Sequence, residues 1–401
     1  MHRTDIKMLR QHVGRDSPIR ALMTRSRYWP FAIVFRQCFN LQDHIHVLDS
    51  ILEISSMRLL ALTFVSGLIA VAAASATYQA SSEGPYHVLQ TAKVGGDGGF
   101  DYVYADSDGR KLYVPRSRQN SRVSVFNLDT LEPLGEIAKT NAHGAATDTK
   151  SHHGFASSKP VAMWDTQTLS LIKTIDVDGG PDGILGDSFN HRTYIFSHGA
   201  PNATVIDSAT GNVLGTIDLG GAPEQAQSDG KGHIYVDLED KGAVAVIDAK
   251  AMKLVNTFSL NGKGDGCAGL ALDIRNRVLF VACRDPQVMV MLDANTGKYL
   301  ADLPLAGASD GAVFNPKTKE AFSSHGNGTL SIIKETSPTS FVVEQTVKTM
   351  TGAKTLTLDS KTGKIFLIAA EYGAAAEASA GGGRQRRPMI PGSFSIVVVG
   401  K

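Results

Sequence analysis

The amino-acid sequence predicts an all-β fold: a seven-bladed β-propeller of four-stranded antiparallel blades, with the last blade closed by the N-terminal strand. Three observations carry this reading. A short apolar phrase recurs as VSVFNLD, VAMWD, ATVID, VAVID, VMVMLD, LSIIK and FSIVVV. It aligns Asn127, Asp165, Asp207, Asp248, Asp293, Lys334 and Val398, at successive spacings of 38, 42, 41, 45, 41 and 64 residues. A period of about forty residues, made of short alternating strands, corresponds to one four-stranded blade per repeat. Third, the two ends are complementary: His87–Gly96 reads as a lone fourth strand, and the last repeat lacks one.

The chain has 401 residues, and the repeats do not use all of them. From Met57 it runs MRLLALTFVSGLIAVAAASA: one arginine, an apolar stretch, then small residues at Ala74-Ser75-Ala76. That order is expected of a secretory signal peptide over 57–76, and the apolar run falls short of the roughly 20 residues of a membrane span. Residues 1–56 carry no repeat and are read as a non-native or disordered extension, with translation beginning at Met57. The competing reading is a membrane anchor with a small cytoplasmic tail. Residues 1–76 hold nine Lys/Arg and five Asp/Glu, leaving 31 basic and 34 acidic residues, a net charge of −3. No global basic field invites nucleic acid or anionic lipid.

The propeller is expected over 84–401, and each repeat follows one plan. A first strand such as DGILGD (182–187) leads to a second, RTYIFS (192–197), a third, ATVID (203–207), and a fourth, VLGTIDLGG (213–221). Period-two alternation broken by Gly/Asn/Asp turns suits antiparallel meanders. Asp165, Asp207, Asp248 and Asp293 end third strands and are expected to cap their turns through the side chain rather than to act as acids. At the far end, TLTLD (355–359), KIFLIAA (364–370) and FSIVVV (394–399) supply three strands, so His87–Gly96 should complete the blade and remove an exposed edge. The long last spacing contains GAAAEASAGGGRQRRPMIPGS (373–393), a Gly-rich insertion expected to be a mobile loop between the second and third strands of blade seven.

Cys267 and Cys283 lie in the fifth repeat. Pairing 268–272 with 278–283 around the turn Asp273–Arg277 would face Leu272 with Val278 and Cys267 with Cys283, within reach of a disulfide. Two reduced buried cysteines, or a metal pair, are the alternatives.

Equivalent positions at the starts of the first strands should surround one mouth of the channel: Asp101, His143, Asp182, Glu224, Ala268, Asp310 and Lys354. Positions after the second strands form another set: Arg116, Ser158, His198, Glu239, Arg284, His325 and Glu371, two of them within a repeated Ser-His-Gly. Imidazole and carboxylate could hold a divalent metal, with His198, His325, Glu239 and Glu371 as the candidate ligands. Arg284, Arg116 and Lys354 could equally hold an anionic organic ligand, and polar hydrated mouths also occur without either. No G-x-S-x-G elbow, P-loop, H-E-x-x-H or C-x-x-C-H is present, and no basic surface interleaved with aromatics announces nucleic acid.

The repeats YVPRSRQNSRVSVFNLDTLEPLGEI and ATVIDSATGNVLGTIDLGG resemble the YVTN-repeat β-propellers, the YncE-like exported proteins, over about residues 86–401. The first repeats depart from the pattern, reading YVPRS and GFASS. The resemblance implies a seven-bladed ring in the periplasm or outside the cell. Related propellers include lactonases, and fold alone does not choose among functions. The expectation is an exported, monomeric binding protein that holds a ligand or protein partner at the channel mouth, with no metal or other cofactor assigned. The alternatives are a metal-dependent propeller hydrolase using a metal-bound water, and a pure protein-interaction scaffold.

Overall fold

The computed structural model describes residues 83–200, 202–374 and 387–401. The expected signal peptide, the extension before it and most of the insertion lie outside the described residues. Within them, 28 strands form seven four-stranded antiparallel sheets, in the expected order around the ring. Six blades are continuous in sequence. The seventh orders its strands as His87–Lys93, Ser395–Gly400, Ile365–Ala369 and Leu356–Leu358, so the N-terminal strand closes it. No helix among the described residues is long and apolar enough to cross a membrane.

The third strand is the phrase that repeats, and it is apolar on both faces because it lies inside a blade sandwiched by two others. Burial is correspondingly continuous: Val288–Asp293 and Ala243–Asp248 are buried at every residue but the last. The apolar side chains gather into seven clusters, one for each seam between neighbouring blades. Trp164 shows the tightness of one seam. It is fully buried, and its indole lies where a side chain on Gly154 would stand, 2.2 Å from that glycine's missing Cβ. The glycine in the second repeat's GFASS is therefore a packing requirement. Removing the indole would cost about 3–5 kcal/mol.

Third strands end as expected. Asp165 Oδ1 accepts the amides of Gln167 and Thr168, and Asp207, Asp248 and Asp293 repeat the arrangement. Every outer strand carries a one-residue bulge, seen as a register shift at Val88/Gln90, Val125/Phe126, Met163/Trp164, Val205/Ile206, Val246/Ile247, Met291/Leu292 and Ile332/Ile333. Bulges bend an edge strand away from further pairing.

Closure is reinforced by one buried carboxylate. Glu320 of blade six receives the Tyr86 hydroxyl, Lys401 Nζ at 3.1 Å and Lys334 Nζ at 3.3 Å, while Gln345 bonds both the amide and the carbonyl of Tyr86. Both ends of the propeller are thus held on its neighbour.

The register in blade five differs from the expected one. Leu272 faces Leu279 and Asp273 faces Val278, because Asp273 stays in the strand and accepts the amide of Arg275. The turn is therefore one residue shorter. Beyond Ala268 the pairing shifts back, with Asp265 opposite Asp285, and this realigns the cysteines. Cys267 and Cys283 form a disulfide.

Candidate functional site

The starts of the first strands converge on one mouth of the channel, where they are joined by the residues that follow the second strands. There the charges make a circuit. Lys354 Nζ lies 3.0 Å from Asp101 and 2.6 Å from Asp310. Arg284 bridges Asp310 to Glu239. Glu239 stands 3.8 Å from His198, which lies 3.1 Å from Glu224. Asp182 completes the turn through His143, whose Nδ1 is 3.1 Å from Asp182 and 3.0 Å from Asp101. Asp101, His143, Asp182, His198, Glu224, Glu239, Arg284, Asp310 and Lys354 are thus one network.

Two expected members are elsewhere. His325 is fully buried within blade six, with Nε2 2.9 Å from Ser331 Oγ. It is the last residue of its strand, paired with Ser309, as Ser197 is paired with Pro181 in blade three. The two Ser-His-Gly triplets are therefore out of step by one residue, and a one-residue step turns a strand side chain to the other face. Arg116 and Ser158 share the buried position of His325. Glu371 is exposed and ion-paired with Lys93 at 3.3 Å. The set His198, His325, Glu239 and Glu371 does not assemble as metal ligands. Two other trios do come together, each with donor atoms within 4.8 Å of one another: Asp101, His143 and Asp182, and Asp182, His198 and Glu224.

These trios sit under opposed electrostatic demands. Burial, then Glu224, pushes the Asp182 carboxyl up to about 6. The Glu224 carboxylate raises His198 to about 9 against its partial burial. Asp101 bonded to His143 raises that imidazole as well. Lys354 is raised by Asp101 and Asp310 despite its burial, and Asp101 is held low by His143 and Lys354 despite its own. Burial keeps His325 neutral, down to about 4.

Two buried atoms of the second trio lack a hydrogen bond: Asp182 Oδ1 and His198 Nε2. The reason is arithmetic. The single Nδ1–H of His143 goes to Asp101, so it cannot also serve Asp182. His198 Nε2 is near Glu224 but not aligned to donate to it.

Three residues escaped the sequence reading. Tyr102 reaches across the channel from blade one and donates to Glu224 Oε2 at 2.5 Å. Gln225 crosses from blade four, bonding the amide of Leu270 at 3.1 Å and both backbone groups of Ala312 at 2.9 and 2.8 Å. Together they floor the mouth. A cavity of about 320 Å³ lies along the first strands, lined by Tyr102, Glu224 and Gln225 together with Ala145, Ile184, Leu272, Phe314, Leu356 and their neighbours. Asp237 is the third: fully buried, both oxygens unbonded, and held protonated by burial and by Glu224. Its signal was an acid inside the apolar strand HIYVDL.

No protein-family profile matches the chain. Two curated relatives do. YncE of Salmonella typhi, described as uncharacterized, is 24% identical over 192 residues, covering 45% of this chain and 53% of the relative. YncE of Salmonella typhimurium is 25% identical over the same length and shares. The chain thus spans about half the length of the curated relatives it matches. Among solved structures, the RRP9 WD40 repeats superpose with a TM-score of 0.62 at 13% identity, covering 80% of this chain and 99% of that one. U3-55K gives 0.61 at 13% over 78% and 98%, and a chain of the mitotic checkpoint complex gives 0.61 at 12% over 73% and 90%. At such identities these three establish the propeller architecture alone. Repeat sequence, seven-bladed ring and similarity to YncE together support placing the chain among the YncE-like, YVTN-repeat β-propellers.

Proposed function

We propose that this chain is an exported binding protein whose channel mouth holds a divalent cation, alone or as part of a ligand, through Asp182, His198 and Glu224. The observation that carries the reading is the pair of buried atoms without a hydrogen bond, Asp182 Oδ1 and His198 Nε2, converging with a Glu224 oxygen within 4.8 Å. A buried polar atom without a partner costs about 1–3 kcal/mol, and a cation between the three would satisfy both. Imidazole with two carboxylates suits zinc or manganese better than calcium, which takes oxygen ligands. Tyr102 would orient Glu224 from behind, as outer residues do for metal ligands. Export is supported by the Cys267–Cys283 disulfide, a bond characteristic of oxidising compartments, and by the signal-like segment 57–76.

The test is metal analysis and titration of protein purified without chelator or affinity tag. One equivalent of metal, lost in both His198→Ala and Asp182→Asn, is the expected result. A chain that neither retains nor takes up zinc or manganese overturns the reading. A second reading, a protein-interaction platform, is favoured by exposed aliphatics on the outer strands: Leu134, Leu171, Val213 and Val255. A platform would tolerate both substitutions.

A further inference from the structure

Arg116 is the most buried arginine among the described residues, at 1% exposure. Its guanidinium lies 3.6 Å from the Phe394 ring centroid, at the seam where blade seven meets blade one. The one hydrogen bond it makes to a described residue is a 3.3 Å contact from Nη2 to the carbonyl of Gly98, and Nε is buried with none. No carboxylate of the described residues comes within 4 Å. Other partly buried arginines differ: Arg110 pairs with Asp129 and Asp359, Arg277 with Asp229, and Arg284 with Glu239 and Asp310.

A second guanidinium stands beside it. A Cβ on Gly96 would lie 2.5 Å from Arg122 Nη2 and 3.8 Å from Arg116 Nη1, so two cationic edges flank one exposed glycine. Gly95, Gly96 and Gly98 all have positive φ, of 67°, 82° and 92°, a backbone only glycine adopts readily. Arg122 is already compensated by Glu136 at 3.3 Å and Asp97 at 3.7 Å, and Asp97 also accepts from Asn120. Arg116 feels Asp97 only at longer range and has no such close partner among the described residues. Burial and the charge of Arg122 push it down only to about 10, so it remains a cation at neutral pH. A desolvated charge beside a like charge is unfavourable unless a counter-ion is supplied.

We infer that the seam between blades seven and one is an oxyanion site, in which Arg116 Nη1 and Arg122 Nη2 grip a carboxylate or phosphate group over Gly96. The planar guanidinium fork suits either group. The site shares no residue with the cation-binding trio and does not depend on it.

Calorimetric titration with inorganic phosphate, and separately with acetate, at ionic strength matched by sodium chloride, tests this. Saturable binding of either probe is expected, half-saturating below about 1 mM, and weakened at least tenfold in Arg116→Met. Arg122→Gln leaves the Phe394 contact intact and should weaken binding as well, which decides the matter if Arg116→Met does not fold. Asp182→Asn should bind phosphate as the parent does. Absence of saturable binding by both probes, parental affinity in Arg116→Met or in Arg122→Gln, or loss of phosphate in Asp182→Asn, each overturns the inference.

Discussion

The two halves of the charged mouth are built from the same repeat positions and behave differently. From Glu239 through Arg284, Asp310 and Lys354 to Asp101, each carboxylate meets a permanently charged cation. From Asp101 through His143 and Asp182 to His198 and Glu224, the only cations are imidazoles, and two buried atoms are left without a hydrogen bond. The first half is satisfied by itself and acts as a rivet between blades. The second is short of positive charge, which is what a cation site requires. On the proposed reading, arginine and lysine in one arc and histidine in the other separate structure from binding on a single rim.

The comparison is broken most directly at His198. His198→Ala should lower zinc affinity by at least about 100-fold, the upper end of what losing an outer partner of a ligand costs. The apo protein's melting temperature should change little above about pH 9, where the stability His198 contributes as a cation is gone. Competition with a chromogenic chelator measures the first and calorimetry the second. If melting falls and affinity holds, the halves have been assigned the wrong roles.

Next in size is pH. His198 is raised to about 9 when folded, so the folded state binds more protons than the unfolded chain between about pH 6.5 and 9. The stability it contributes is full below that window and lost as pH rises through it. Asp182, raised to about 6, acts in the same direction between about pH 4 and 6. Each group's contribution should therefore be lost across its own window, and His198→Ala should flatten the upper one. Zinc affinity should rise with pH over the same range, since metal and proton compete for one nitrogen.

The satisfied half gives the converse. Lys354→Met leaves Asp101 and Asp310 without their shared ammonium. It should cost about 1–2 kcal/mol, below the 3–5 expected of a fully buried pair because Lys354 is partly exposed. Urea unfolding would show this, and zinc affinity should stay within about twofold. Glu239 touches both halves, so Glu239→Gln should produce the smallest effect: a few-fold change in affinity with stability altered by no more than about 1 kcal/mol.

Much of this was legible beforehand. Seven apolar phrases at a forty-residue period, and a fourth strand stranded at the N-terminus, specify a closed ring because the blade is a local object. Its turns are capped by its own Asp165 or Asp207, and its strands pair with chain neighbours. Nine of the mouth's charged residues were also readable, since equivalent repeat positions become spatial neighbours in a ring. Glu371 left the mouth for an exposed ion pair with Lys93, and the other two failures had one cause. His325 in blade six and the blade-five turn were each misplaced by one residue, and period-two strands convert that error into the opposite face.

The sequence by itself determined the repeat, the blade count, the closing strand and which residues crowd one mouth. Only the tertiary structure decided which of those charges cancel, because a hydrogen bond depends on a few tenths of an ångström between strands from different blades. It alone placed His325 in a blade's interior, brought Tyr102 across the channel to Glu224, and left Arg116 Nε and both Asp237 oxygens buried without a hydrogen bond. The Tyr102–Glu224 contact joins residues more than a hundred positions apart, and no local pattern encodes it.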